Sequence, residues 1–219
     1  MPSMWLWILG PIVVSVVMAN PAILVVAVVL VVAQRFAPDP VRWLRSSNKR
    51  RELSNVIAQN PHNALAARQL AMLQLDANAP KSAIGVLELA RARDASAETL
   101  FLLGLARVRA GHPQEGLVDL DAAVAADPKI RYGDAWLAKG IAHHKLGELP
   151  AAIAALEKFV ATNGSSIEGH LRLSRAYAEA QQKEKAAQAK REASSTWATL
   201  PAFQKKLQRW WWLRMLTGL

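Results

Sequence analysis

An internal repeat between residues 61 and 198 constrains the fold more than any other feature of the sequence. Segments 64–95, 97–128 and 133–164 align with one another, and 167–197 is a weaker fourth copy. Their starts lie 33, 36 and 34 residues apart, and Gly, Pro or Asn residues separate the helix-length stretches within them. Since one such unit cannot bury its own apolar face, the repeat predicts a stack of helical units that bury one another.

Small and large residues recur at matching steps in these copies. The second copy supplies Leu100, Leu103, Gly104, Gly111, Leu120, Ala123 and Pro128. The third supplies Trp136, Gly140, Gly147, Ala152, Leu156 and Phe159. These steps resemble the tetratricopeptide repeat (TPR), a unit of about 34 residues with the pattern W-x2-L-G-x2-Y, then A-x3-F, then A, then P. The resemblance implies two antiparallel helices in each unit, which cross closely at Ala71, Gly104, Gly140 and Ser174.

The resemblance further implies a right-handed superhelix whose concave groove is lined by the first helix of each unit. The lining residues that it carries over are Arg68, Met72, Leu75, Phe101, Leu105, Val108, Arg109, Leu137, Ile141, His144, Lys145, Leu171 and Arg175. The groove floor would be apolar and its rim cationic, which favours binding of an apolar or amphipathic segment of another protein. Alternatively, the C-terminal helix of the same chain covers these side chains.

The segment 5–33 is apolar or small at every position except Ser15 and Asn20. A transmembrane helix needs about 20 such residues, so this segment predicts a membrane anchor over residues 1–36. Pro21 lacks a backbone donor and predicts a kink at the Asn20–Pro21 pair. A re-entrant hairpin that turns at this pair and a cleaved secretory signal are the alternatives.

Basic residues are distributed unevenly around the apolar segment. No Lys or Arg precedes it, whereas six lie in the linker at residues 35–51. Positive residues stay on the cytoplasmic side, so the sequence predicts a single-pass protein of a bacterial-type inner (cytoplasmic) membrane with its repeats in the cytoplasm. The predicted divisions after the anchor are a basic linker with a degenerate leading half-repeat (37–60), four repeats (61–198) and a C-terminal helix (199–219).

Three consecutive tryptophans lie in the predicted C-terminal helix. At about 100° per residue they span an arc of roughly 200°, which is too wide for one groove of a protein surface. Tryptophan and basic residues favour the surface of a bilayer, which predicts membrane contact. The residues predicted at this membrane interface are Lys205, Lys206, Arg209, Trp210, Trp211 and Trp212. The alternative is a cap over the last repeat formed by Phe203 and Leu207, which can also precede the membrane contact along the helix.

Signs of catalysis or metal binding are missing from the sequence. It has no cysteine, and its five histidines, of which His143 and His144 are adjacent, lack the spacing of a metal site. Asp119 and Asp121 have the spacing of an exposed helical face. The net charge of +10 lies mainly in the linker and the tail rather than in the repeats, which disfavours a nucleic-acid partner. The sequence therefore predicts no enzyme, no cofactor and no metal.

The predicted fold class is all-α: an N-terminal transmembrane helix, an α-solenoid of TPR-like helical hairpins and a C-terminal amphipathic, tryptophan-rich helix. The repeat resemblance, the apolar segment and its basic flank together predict a membrane-anchored scaffold or adaptor that binds a protein partner at the cytoplasmic membrane face, within a larger membrane assembly. Two alternatives remain open. One is a periplasmic assembly factor or chaperone of opposite topology, and the other is an accessory subunit of a membrane protein complex. The expected partners are a protein and membrane lipid.

Overall fold

The computed structural model describes Val26 and residues 40–217, with the side chains of Val26 and of residues 46–217. The chain divides into two compact units, residues 1–48 and 49–219. The predicted anchor (1–36) lies outside the described residues except for Val26, so the anchor stays a prediction. Across the described part of the chain, every helix is too short or too polar to span a membrane.

Helices and turns make up the described residues. Helix α1 (Pro40–Gln59) precedes four helical hairpins, and one further helix, α10 (Ala202–Thr217), follows them. The hairpins are α2 (Ala64–Asp76) with α3 (Pro80–Arg91), α4 (Ala97–Ala110) with α5 (Pro113–Ala126), α6 (Asp134–Lys145) with α7 (Leu149–Thr162), and α8 (Ile167–Glu179) with α9 (Lys183–Thr199). The predicted all-α repeat architecture is therefore confirmed for this part of the chain.

Local sequence explains where several of these helices begin. The side chain of Asn63 accepts a hydrogen bond from the backbone N–H of Ala66 (3.0 Å) at the start of α2, and Ser166 accepts one from Gly169 (3.1 Å) at the start of α8. Such caps satisfy backbone donors that have no partner inside the helix. The second helix of three hairpins has a proline in its first turn, where the missing N–H would be unpaired in any case: Pro80, Pro113 and Pro150.

The two helices of a hairpin approach closely where the sequence predicts small residues. A Cβ added to Gly104 or Gly140 would lie 2.6–2.7 Å from a leucine side chain of the second helix. Ala71 is fully buried, and Ser174 donates a hydrogen bond across its hairpin to the backbone oxygen of Ala186 (2.8 Å). The predicted crossing points are therefore confirmed.

Buried side chains form a row of clusters along the stack. The largest cluster extends from α2 to α6 and includes Leu87, Leu103 and Leu120. A second cluster joins the third hairpin to the fourth. At the N-terminal end, Leu53 of α1 packs against Leu70 of α2. The last turns of α1 therefore cover the outer face of the first hairpin, which no preceding hairpin covers within the described residues.

Asp119 departs from the sequence prediction. It was expected on an exposed face, yet its side chain is buried, 2.9 Å from Arg91 Nη1 and 2.7 Å from Arg107 Nη1. Burial raises the pKa of Asp119, and the two guanidinium groups oppose that shift. Arg107 also pairs with Glu88 (3.0 Å), so the network joins the first two hairpins. Spacing along α5 could not reveal this, because the arginines come from α3 and α4, whereas Asp121 is exposed as expected.

Candidate functional site

The predicted groove residues divide into an accessible row and a buried set. The accessible row, which we term the first-helix strip, consists of Met72 on α2, Leu105 on α4, and Leu137 and Ile141 on α6. Each strip residue is half-buried because one side of it packs on the core. The buried set consists of Leu75, Phe101 and Val108, which are at most 5% exposed. The structure places this set in the core between hairpins rather than on an accessible surface.

Two of the predicted rim cations contact the ends of neighbouring helices. Arg109 Nη1 donates a hydrogen bond to the backbone oxygen of Leu75 (3.3 Å) near the end of α2, and Lys145 Nζ donates one to that of Val108 (2.7 Å) near the end of α4. The last carbonyl oxygens of a helix lack a partner within it, and the helix dipole favours a cation there. Arg109 and Lys145 occupy matching positions in successive hairpins, so each joins its own hairpin to the preceding one.

Arg68, predicted in the groove of the first copy, is held by the connection between α3 and α4. It forms an ion pair with Asp94 and donates hydrogen bonds to the hydroxyl oxygens of Ser96 and Thr99 (3.2 Å each). The hydrogen bond from Arg68 lowers the pKa of Asp94, and the side-chain and backbone donors of Ser96 add to that effect, whereas desolvation opposes it. Arg68 therefore stabilises the turn between the first two hairpins.

His144 and Arg175 complete the predicted groove set. His144 Nε2 lies 2.9 Å from a carboxylate oxygen of Glu179, which links the third hairpin to the fourth. Arg175 is half-buried, and in the described part of the chain no ion pair or hydrogen bond engages its side chain. Its guanidinium is therefore available to a ligand. Within residues 46–217 no three His, Cys, Asp or Glu side chains are grouped to hold a metal ion.

Arg131 lies over the α2 end of the strip, although the repeat pattern does not predict it. Its Nε donates a hydrogen bond to Glu98 Oε1 (2.8 Å) and its Nη2 donates one to Met72 Sδ (3.1 Å). The guanidinium carbon is 5.7 Å from the centre of the Phe101 ring. The side chain thus covers part of the apolar surface that Met72 and Phe101 would otherwise present.

The backbone that carries Arg131 is a short 3-10 turn, Ile130–Gly133. Its φ angles are positive at three successive residues: 46° at Arg131, 56° at Tyr132 and 88° at Gly133. Left-handed backbone costs a non-glycine residue about 1–3 kcal/mol, so the contacts of Arg131 must offset this strain. The sequence signal for the turn is the interval of 36 residues between the second and third copies, which exceeds its neighbours by two or three residues.

Three carboxylates occupy matching positions at the starts of α4, α6 and α8: Glu98, Asp134 and Glu168. Glu98 pairs with Arg131 (2.7 Å), and Glu168 pairs with Arg172 (2.8 Å). Asp134 has no ion pair among the described residues. Burial raises its pKa, nearby Arg131 opposes the shift and Glu168 adds to it. Acidic residues therefore lie at the helix starts, whereas Arg109 and Lys145 lie at the helix ends.

Helix α10 packs on the last hairpin through a face that includes two of the three tryptophans. Trp212 stacks on Trp197 of α9, with ring centres 4.8 Å apart and ring planes inclined by 3°. Met215 is buried against Leu171 of α8, and Trp211 is half-buried beside it. Leu171 was predicted in the groove, and for this residue the alternative interpretation, cover by the C-terminal helix, is the one the structure shows.

The residues that form this cap differ from the predicted ones. Phe203 and Leu207 were expected to form the cap, yet they are 65% and 75% exposed, and Trp210 is 55% exposed. Gln208 explains the orientation of α10, because its side chain hydrogen-bonds the backbone at the start of α8 through contacts of 2.7 and 2.9 Å. These hydrogen bonds orient α10 so that the face with Met215 packs on the hairpin. Phe203 and Leu207 are therefore left exposed to solvent.

Solved structures share this architecture. The protein is similar to the crystal structure of MamA, with 25% identity, coverage of 67% of this chain and 85% of that one, and a TM-score of 0.61. It is also similar to YrrB, a TPR protein with an unusual peptide-binding site (19% identity, coverage of 76% and 86%, TM-score 0.58). A third similar structure is PilW, a widely conserved type IV pilus biogenesis factor (24% identity, coverage of 74% and 76%, TM-score 0.63).

No protein-family model matches the sequence, and no match is found among curated proteins. The fold is therefore shown by the structure itself and by similar solved structures. The chain is an all-α helical repeat solenoid that resembles TPR folds.

Proposed function

We propose that this protein is a membrane-anchored scaffold or adaptor that binds a segment of another protein along the first-helix strip. The observation that carries the proposal is the row of half-buried apolar side chains on three successive first helices: Met72, Leu105, Leu137 and Ile141. Packing on the core fixes one side of each residue and leaves the other side in solvent. Covering such a prearranged apolar row costs little ordering of the strip, which favours association.

Two charged side chains on the first helices α6 and α8 suggest the chemistry of the partner. Arg175 offers a cation that has no ion pair among the described residues. Asp134 offers a half-buried carboxylate that also has no ion pair among them. A segment with apolar residues on one face and charged residues of both signs at its edges suits this arrangement. The fold is compatible with the role, since YrrB carries a peptide-binding site on the same architecture.

Membrane anchoring and a cytoplasmic location of the repeats belong to the same proposal. They are supported by the apolar segment 5–33 and by the six basic residues of the linker 35–51. Alkaline phosphatase fused after residue 219 is expected to be inactive, and green fluorescent protein at the same place is expected to fluoresce. An active phosphatase fusion would instead favour the periplasmic assembly-factor alternative.

Paired variants of the full chain test the binding surface. Leu105→Glu and Leu137→Glu place a charge on the strip, whereas Leu89→Glu and Val118→Glu place one on exposed residues of the second helices α3 and α5. Proteins that copurify with the parent chain in mild detergent are expected to be lost from the strip variants and kept by the controls. Circular dichroism melts of all four variants check that the fold persists. Equal recovery of partners by both pairs would contradict the proposal.

A further inference from the structure

Helix α10 has two distinct faces, and the last hairpin covers one of them. The covered face holds Gln208, Trp211, Trp212 and Met215. The other, which we term the outward face, consists of Phe203, Leu207, Trp210 and Leu213, all exposed. At about 100° per residue, the first three of these fall within an arc of roughly 60°, whose centre lies about 120° from that of the covered face. An exposed apolar face of this kind is typical of an interaction site.

Charge distinguishes the partners that could cover the outward face. Helix α10 has four basic residues and no acidic one, and residues 183–217 together carry eight basic residues against two acidic ones, a net charge of +6. Lys205 is partly engaged, because its Nζ donates a hydrogen bond to the backbone oxygen of Ala198 (3.2 Å). Lys206 is exposed beside the outward face. A second copy of the same helix would set like charges against one another, whereas an anionic surface would neutralise them.

We infer that the outward face of α10 binds the surface of an anionic lipid bilayer. Phe203, Leu207 and Trp210 would enter the boundary between headgroups and acyl chains, where apolar side chains are buried and an indole N–H can stay hydrated. The basic side chains around them attract anionic headgroups. This assignment differs from the sequence prediction, because Trp211 and Trp212 contact the protein and only Trp210 of the three lies on the outward face.

The inference deepens the membrane part of the proposed function and rests on it, because an anchored chain holds α10 near lipid. It does not depend on the first-helix strip. Residues of α10 form the membrane contact, and residues of α2, α4 and α6 form the strip. A failure of one can therefore be observed while the other is intact.

Site-directed spin labelling of the full chain tests the inference, since the sequence has no cysteine to remove. The label is attached at Leu207→Cys, and the matched control is a label at Val118→Cys, an exposed position of α5. The protein is reconstituted into phosphatidylcholine nanodiscs with or without phosphatidylglycerol. At position 207, collisions with oxygen are expected to exceed those with a water-soluble nickel complex several-fold in the anionic discs. The excess is expected to be smaller in the neutral discs, and position 118 is expected to show the reverse preference.

Two results with the label at position 207 alone would overturn the inference. One is a label at position 207 that collides with the nickel complex as freely as the label at 118 in both lipids. The other is spin–spin broadening at 207 that disappears on dilution with unlabelled chain, which would assign the outward face to a second copy. A double variant, Phe203→Ser with Trp210→Ser, is expected to abolish the oxygen preference at 207. The matched pair Leu89→Ser with Val118→Ser is expected to leave it unchanged, and an equal loss in both pairs would also contradict lipid binding.

Discussion

Gly104 of α4 and Gly116 of α5 face each other so closely that neither position has room for a methyl group. A Cβ built on either glycine would lie 2.8 Å from the backbone oxygen of the other. Because these contacts involve backbone atoms, a side chain at either site would have to move one helix away from the other. The distance between the helices of the second hairpin, and with it the position of Leu105 on the strip, therefore depends on this pair.

Gly104→Ala is expected to lower the free energy of unfolding by about 1–3 kcal/mol, the usual cost of overpacking a core. Gly85→Ala provides the matched control, since a Cβ at Gly85 would meet nothing within 4 Å. It replaces glycine in a helix interior and is expected to stabilise the protein by about 0.5–1 kcal/mol. Urea denaturation measures both changes. Shifts of the same sign would contradict the close crossing of α4 and α5.

Tyr132→Gly is expected to stabilise the protein. Tyr132 has a φ of 56° and a side chain that is 82% exposed, so glycine removes backbone strain and loses little packing. The strain of about 1–3 kcal/mol exceeds the entropy that glycine adds to the unfolded chain, about 0.4–1 kcal/mol. Tyr132→Ala keeps the strain and is the control. The melting temperature should rise for glycine and stay near the parent value for alanine, and no rise for glycine would argue against the left-handed turn.

Asp94→Asn is expected to make the protein less stable at pH 7, by an amount that shrinks as the pH falls. Bonding to Arg68 and Ser96 lowers the pKa of Asp94 in the folded protein below the value of about 3.9 in an unfolded chain. The charged carboxylate thus contributes stability above that unfolded value, and the contribution is lost as the pH falls through the folded pKa. Denaturation at pH 7, 5 and 3 measures the difference in unfolding free energy between the parent and the variant. A difference that does not change with pH would contradict the pairing of Asp94 with Arg68.

Asp134→Asn is expected to make the protein more stable at pH 7, which is the opposite of the effect expected for Asp94→Asn. Burial raises the pKa of Asp134 in the folded protein, so the charged form is disfavoured there once the pH exceeds that pKa. The parent chain then gains stability as the pH falls through the raised value, and the variant does not. At pH 7 the variant should be the more stable of the two, and below about pH 4 the difference should vanish. A less stable variant at pH 7 would indicate that Asp134 has an ionic partner.

Met215→Ala is expected to destabilise the last hairpin, because Met215 is buried against Leu171. Removing a buried methionine side chain costs about 2–5 kcal/mol, and the lower end applies at the edge of a stack. Leu207→Ala changes an exposed residue of the same helix and should stay within about 0.5 kcal/mol of the parent. Thermal melts compare the two. A larger loss of stability for Leu207→Ala than for Met215→Ala would mean that Phe203 and Leu207 form the cap.

The repeat could be predicted from sequence because its signals are local or periodic. Proline in the first turn of a helix, a small residue at a crossing and an interval near 34 residues each act within one hairpin, and the structure bears out Gly104, Gly140 and Ala71 at the crossings. The strip residues were carried over from the resemblance to the tetratricopeptide repeat. Which of the predicted groove residues are buried could not be predicted in this way. Only the packing of the next hairpin decides that Phe101 is buried and Leu105 is accessible.

Contacts between distant elements could not be predicted in this way. The burial of Asp119 depends on Arg91, which lies on another hairpin, and the cover over Met72 depends on Arg131, 59 residues along the chain. The orientation of α10 was missed for a related reason. Helical spacing gives the angles between its side chains, but the hydrogen bonds of Gln208 with the start of α8 decide which face meets the protein.

The most direct measurement for the proposed function is photo-crosslinking from the first-helix strip in living cells. Benzoylphenylalanine is introduced in place of Leu105 on the strip, or of Val118 on the exposed side of α5, in the full chain. A discrete adduct with one partner is expected from position 105, and this adduct should be absent from position 118 and lost when Leu137→Glu is added to the same chain. Position 105 without an adduct, or the same adduct from both positions, would contradict a partner-binding strip.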